Sequence, residues 1–285
     1  MNKYDRRRKY YMVVDCETAT LPFANKYEEV NRKNVAIARP LIYDLGWTVV
    51  DNKGRIYAKK NYLITETFFV PAVFDTAYYK AKRPLYMEKL AKGEIVQATW
   101  NEAVHELIED LEAVESVGAY NAMFDYKKAL PFTDLYISKL YSNDYNSWMK
   151  TQERICDSIA KCGQTKSNPE FDEMHFCFRG EKYPMFDLWG LTCEHILNCD
   201  DYKRMCIDNG WETASGKYFP TNAEKAFAFV SAQMDFEEAH TAIEDAEIET
   251  CLFAIIYHKT KGKFAMGIEF FPFRILGRVE NWDYF

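Results

Sequence analysis

No apolar run in this chain approaches the ~20 residues that span a bilayer, and no signal-peptide core follows the basic N-terminus, which passes through Tyr10-Tyr11-Met12-Val13-Val14 straight into an acid. Membrane insertion and secretion are therefore not expected, and the chain reads as cytoplasmic. It also lacks any Cys-x-x-Cys pair. Cys177, Cys193, His195, Cys199 and Cys206 crowd one region, but structural zinc sites usually show such a pair, so the eight cysteines read as reduced thiols. No low-complexity tract, internal repeat or linker interrupts the sequence. With 48% apolar and 16% aromatic residues, the 285-residue chain can bury a sizeable core in one large domain, or one domain plus an appendage.

Positive charge is in short supply as well. A formal charge of −7 argues against a nucleic-acid partner when taken as a whole. Binding follows local charge, however, and carboxylates that hold metal deepen the deficit. Basic residues cluster at Lys3, Arg6, Arg7, Arg8 and Lys9 and again at Lys259, Lys261 and Lys263; either run alone reads better as solvated surface.

Residues 10–16 read as a buried strand, Pro40 to Val50 as a second and Arg55 to Ile64 as a third, with an Asp51-Asn52-Lys53-Gly54 hairpin turn between the last two. A helix is expected over 75–92. Thr99-Trp100-Asn101-Glu102 is a capping box opening a helix whose stripe is Val104, Leu107, Ile108, Leu111 and Val114. Ser116 to Tyr120 reads as a strand running into Asn121, a good helix cap, and the helix after it should break or bend at Pro131. Arg154 to Ile159 reads as a strand turning into a helix, 163–183 as an exposed insertion, and Asp187 to Leu197 as helical. A second capping box, Thr221-x-x-Glu224, is expected to open a helix over 222–232, and a final helix runs from Thr241 to His258 and stops at Gly262. The domain thus spans 10–262. A tail over 263–285, with Phe264, Phe270, Phe271, Phe273, Trp282, Tyr284 and Phe285, is too aromatic to be free and should pack on the body or on a partner subunit, the latter giving a homodimer. The order of elements implies an α/β fold with a mixed sheet flanked by helices.

Acidic groups stand where charge is costly. Val13, Asp15 and Glu17 alternate along the first strand, so they share a face, and two residues of rise put the Cα atoms of Asp15 and Glu17 ~6.6 Å apart, letting both carboxylates reach one point. Asp-x-Glu recurs at Asp110/Glu112, Asp235/Glu237 and Asp245/Glu247, but only the first copy ends an apolar β-type run. Asp125 falls in the first turn or so of a helix after a strand, where the helix dipole favours it. Asp245 shares its side of the last helix with Ile248, Leu252 and Ile256, and an ionised Asp there needs a partner. The wheel alone does not choose it over Glu244. His240 precedes it by five residues; the other His-x4-Asp, His105 with Asp110, is explained by surface charge. Like charges gathered at one point raise one another's pKa unless cations lie between them.

Taken in order, Val13-Val14-Asp15-Cys16-Glu17-Thr18, Tyr120-Asn121-Ala122-Met123-Phe124-Asp125 and His240-Thr241-Ala242-Ile243-Glu244-Asp245 resemble the three motifs of the DEDDh branch of the DnaQ-like exonucleases. The hairpin matches too, Cys156-Asp157-Ser158-Ile159 is similar to a recurring strand-to-helix junction, and Phe236-Glu237-Glu238-Ala239-His240 is similar to phage-encoded members. The likeness covers residues 10–260. It implies an RNase H-like fold on a mixed five-stranded sheet, 3′-to-5′ polarity and two Mg²⁺ or Mn²⁺ ions ~4 Å apart, stabilising the attacking and leaving oxygens. Carried over, Asp15 bridges both ions, Glu17 and Asp245 complete the first site, Asp125 holds the second, and His240 takes a proton from water. Thr18, Leu21, Asn121 and Phe124 would position the terminal nucleotide, an apolar group stacking its base. Tyr120 stands where many members carry His, and Thr20 where Gly is frequent. Both departures bear on substrate preference rather than hydrolysis.

The expected activity is exonucleolytic release of nucleoside monophosphates from single-stranded DNA 3′ ends. RNA trimming by the same site is an alternative, since 2′-OH contacts cannot be read from sequence. A catalytically silent nucleic-acid binding module is the rival from another class, and carboxylates serving only as caps and surface charge the third.

Overall fold

A computed structural model describes residues 4–5, 8–163 and 172–282. Its strands are β1 (Tyr10–Thr20), β2 (Pro40–Asp51), β3 (Ile56–Ile64), β4 (Val96–Ala98), β5 (Ser116–Ala119), β6 (His175–Phe178) and β7 (Glu181–Asp187). They form one mixed sheet in the order β4-β3-β2-β1-β5-β7-β6. β2 is antiparallel to β1 and β3, whereas β5 runs parallel to β1 and to β7. The sheet has seven strands where five were expected, because short edge strands β4 and β6 extend it at either side.

β1 is the spine, and its period-2 alternation feeds two cores. Tyr10, Met12, Val14 and Cys16 face Trp47, Trp100, Val104, Leu107 and Leu130 on one side, where helices Trp100–Leu111 and Leu130–Leu140 cover the sheet. Tyr11 and Val13 face Phe186, Leu252, Phe253 and Ile256 on the other, covered by the last helix, Ala242–Thr260. A strand buried on both faces reads as a continuous apolar run, which is why a charge inside one is informative.

The Asp51 carboxylate closes the β2–β3 turn, accepting from the backbone N–H of Lys53 at 2.8 Å and of Arg55 at 3.1 Å. The Thr99–Glu102 capping box forms as expected. Other expectations need correction. Arg154–Ile159 is not a strand-to-helix junction but the middle of an 18-residue helix, Tyr145–Cys162, whose buried Gln152, Cys156, Ile159 and Ala160 follow the helical period. The strand-to-helix junction lies instead at Asp187, which ends β7 rather than starting a helix. Within the expected insertion, residues 175–183 belong to the β6–β7 hairpin and bury Phe176 and Phe178; 164–171 lie outside the described residues. The helix expected over 75–92 is confined to Arg83–Ala91, after a 3₁₀ turn at Lys80–Lys82. No capping box forms at Thr221, because Asn222 is the cap residue, the Thr221 hydroxyl accepts from the Trp189 indole, and Glu224 pairs with Lys225.

At Pro131 the helix does not break. A wide π-turn over Asp125–Ala129 runs straight into Leu130–Leu140 and places Pro131 at the change from π to α spacing, where the regular ladder of hydrogen bonds is already interrupted. The described part of the tail packs on the body: Phe264 contacts Tyr11, Phe186 and Phe253, and Gly267 bridges to Phe186 of β7. Tyr284 and Phe285 lie outside the described residues, as do Lys3, Arg6 and Arg7 of the basic run, while Arg8 reaches Asp51 and Lys9 reaches Glu115. Among the described residues no helix is long and apolar enough to cross a membrane.

Candidate functional site

Asp15 and Glu17 project from β1 on the side covered by the last helix, in line with Val13. A register shift between Glu17 and Thr18 marks a bulge, a device that re-aims side chains beside functional sites. Opposite Asp15 on β2 stands Gly46, and a Cβ there would lie 2.5 Å from the backbone nitrogen of Ile243 and 2.6 Å from the carbonyl carbon of Ala242. The absence of a side chain thus lets the first turn of the last helix rest directly on the sheet and bring Asp245 down beside β1. Gly46→Ala is expected to cost about 1–3 kcal/mol by forcing backbone from backbone, seen as a lower urea midpoint.

Asp44 fixes the same helix. Its Oδ2 accepts the backbone N–H of Ala242 at 2.9 Å, replacing a side-chain cap that Thr241 does not supply, and its other oxygen meets Asn61. Burial raises the Asp44 carboxyl to about 6.

The loop before that helix holds His240 in a left-handed conformation, φ 50°, unusual for a residue with a Cβ. Three contacts impose it: the Tyr86 hydroxyl donates to the His240 carbonyl at 3.2 Å, Lys82 Nζ donates to the Ala239 carbonyl, and the Tyr79 ring stacks on the imidazole at 4.4 Å and 15°. His240 Nδ1 lies 3.9 Å from Asp245 Oδ2 and 3.7 Å from Glu238 Oε2.

Glu17, His240 and Asp245 each offer one ligand atom within 4.8 Å of the others, although 17 and 245 come from opposite ends of the chain. Glu224 and Glu238 form a similar group with His240. Asp15 is a charge neighbour of Glu249, Asp125, Asp245 and Glu17 rather than a member of either group. Asp125 starts the π-turn beyond β5, is almost fully buried, and accepts from the Cys16 thiol at 2.9 Å.

Electrostatically the cluster is frustrated. Burial first, then the surrounding carboxylates, pushes Asp15 and Glu17 well above the ordinary carboxylate range. Burial raises Asp125 to about 7, and burial with Glu238 and Asp44 raises Asp245 to about 8. Asp245 Oδ1 is buried without a hydrogen-bond partner. The Lys82 charge opposes the upward shifts at Glu17 and Asp245, and at Glu238, which burial raises to about 7, it does so together with Lys225. Since the folded value for Asp245 lies above its ordinary 3.8, the metal-free fold binds more protons than the unfolded chain, and this group's contribution to stability falls as pH rises from about 4 through about 8. Asp245→Asn should therefore stabilise the metal-free protein at pH 8.5 by about 2 kcal/mol, a Tm rise on the order of 5 °C, and change it little at pH 5; scanning calorimetry at the two pH values checks it.

Glu249, Glu238, Asp44, Lys82 and Tyr79 belong to the site without having been singled out in the sequence. Glu249, one turn after Asp245, is almost fully buried, accepts the Tyr120 backbone N–H at 3.3 Å, and is held well above its ordinary value by burial and by Asp125. Of the residues expected to touch a nucleotide, Thr18 is half-buried beside the bulge, Asn121 has φ 71° where β5 meets the next turn, and Phe124 is half-buried against the core. Leu21 is fully buried in the main core and offers no surface to a ligand, because β1 continues four residues past the expected end and carries it inward. Compared with known proteins, the chain matches no family model and no curated protein.

Proposed function

We propose that the chain is a metal-dependent 3′-to-5′ exonuclease that hydrolyses phosphodiester bonds at the 3′ end of single-stranded DNA and releases nucleoside monophosphates. The observation that carries this reading is the convergence of Glu17, His240 and Asp245 within 4.8 Å, with Asp15 and Asp125 as charge neighbours, in the order the sequence motifs require. The inner strands β3-β2-β1-β5-β7, antiparallel on one side of β1 and parallel on the other, support an RNase H-like fold.

The donors suit a hard dication such as Mg²⁺ or Mn²⁺: they are carboxylate oxygens, and the unpartnered Asp245 Oδ1 is an acceptor that a cation would satisfy. Asp15, Glu17, Asp125 and Asp245 would hold two such ions, whose chemistry is to offset charge on the attacking and leaving oxygens. His240 takes the proton of the attacking water at Nδ1, the ring nitrogen turned toward Asp245. Burial and the Lys82 charge hold this imidazole below its ordinary value, so it is neutral and able to accept a proton at pH 7. Tyr79 fixes the plane of the ring.

The test is a 5′-labelled single strand of DNA, and in parallel of RNA, incubated with Mn²⁺ or with chelator. A ladder shortening from the 3′ end, in Mn²⁺ alone, is expected. Faster RNA trimming would reassign the substrate, and a gel shift without cleavage would make the chain a binding module.

A further inference from the structure

The segment Ala77-Tyr78-Tyr79-Lys80-Ala81-Lys82-Arg83 interleaves aromatic and basic residues at the edge of the carboxylate cluster. Its inner members are committed: Tyr79 stacks on His240, Lys82 Nζ lies 4.9 Å above the Tyr79 ring and donates to the Ala239 carbonyl, and the Arg83 guanidinium covers Phe68 and Phe74 at 5.1 Å. Tyr78 is not. It meets Tyr79 edge-to-face, with ring centroids 4.8 Å apart and planes at 90°, and is 86% exposed. A scattered exposed tyrosine needs no explanation; this one stands two ring contacts from His240, which lies 3.9 Å from Asp245, on a chain of aromatic rings that leads into the site.

We propose that Tyr78 is the outer step of a Tyr78–Tyr79–His240 aromatic stair, on which an unpaired nucleobase of a single-stranded nucleic acid stacks just upstream of the terminal nucleotide. The inference rests on the exonuclease reading and deepens it by naming a contact that selects single strands over duplex. A duplex buries both faces of each base against its neighbours, whereas a single strand can present one to an open ring. Stacking of this kind is indifferent to base identity, so the site would accept any sequence. The neighbouring Lys80 is exposed and carries its charge on the same turn, where a phosphate of the passing strand can be met.

The measurement is fluorescence anisotropy of a labelled single-stranded oligodeoxynucleotide with the full chain in Ca²⁺, alongside hydrolysis in Mn²⁺. Tyr78→Ala is expected to weaken binding about tenfold or more, and Tyr78→Phe, which keeps the ring, to bind like the wild type. An abasic residue walked along the 3′ end should weaken wild-type binding at one position and leave Tyr78→Ala indifferent there, which a general loss of fold would not do. If the wild type binds and cuts while Tyr78→Ala binds equally well, the stair is wrong and the exonuclease reading stands. If the wild type neither binds nor cuts any strand, both are overturned.

Discussion

Asp15→Asn is expected to lower the rate of Mn²⁺-dependent hydrolysis of single-stranded DNA by at least about 100-fold while leaving the fold intact. Asp15 lies in the charge field of Glu249, Asp125, Asp245 and Glu17 together, so its charge would help to hold the proposed ions. Asn is the same size but carries no charge and offers one acceptor oxygen instead of two. Removing an acid that burial and like charges hold well above its ordinary range should not destabilise the metal-free protein. The expected signature is therefore an unchanged or higher Tm without metal, a smaller rise on adding Mn²⁺, and loss of the ladder. An Asp15→Asn protein that cuts at the wild-type rate would remove Asp15 from the chemistry.

His240→Ala should cut turnover by about 10²–10⁴-fold with little change in Mn²⁺ affinity, because the proton acceptor is lost while the carboxylates remain. The pH profile separates this role from a structural one. In the wild type the rate should rise with pH through a midpoint below 6.5, the imidazole being held below its ordinary value by burial and Lys82. The variant should lack that limb. A variant that keeps both the limb and the turnover would place the proton acceptor elsewhere, Glu238 being the nearest candidate, since its Oε2 lies 3.7 Å from His240 Nδ1.

The site residues legible in the sequence were those whose settings were local. Asp15 and Glu17 follow the apolar run Tyr11–Val14 within one strand, Asp125 follows a strand and a helix start, and Asp245 sits on the buried side of a long helix. Two further residues carry the same local signal. Asp44 interrupts the apolar run Leu41-Ile42-Tyr43, and Glu249 follows Asp245 by four residues on the face that carries Leu252 and Ile256. Both are buried charges with work to do, one capping the last helix and the other holding the Tyr120 N–H. Tyr79 and Lys82 gave no such signal, because each acts through a partner some 160 residues away, on an irregular turn that periodicity does not describe.

The fold was read best where period and turn chemistry agreed. The β2–β3 hairpin has both its Asp/Gly turn and two β-rich runs, and it stands as expected. A single local cue without its wider context misleads. A six-residue β-like stretch at Arg154–Ile159 hid an 18-residue amphipathic period, and Thr221-x-x-Glu224 has the letters of a capping box while both side chains are engaged elsewhere. Gly46 illustrates the limit from the other side, since nothing local to β2 says that a helix almost 200 residues later needs its missing Cβ.

The most direct trial of the central claim is an anomalous diffraction map from a crystal soaked in manganese. Ion density among the carboxylates of Asp15, Glu17, Asp125 and Asp245 is the expected result. A map at full soak with no ion among these four residues, and their oxygens turned away from one another, would contradict it.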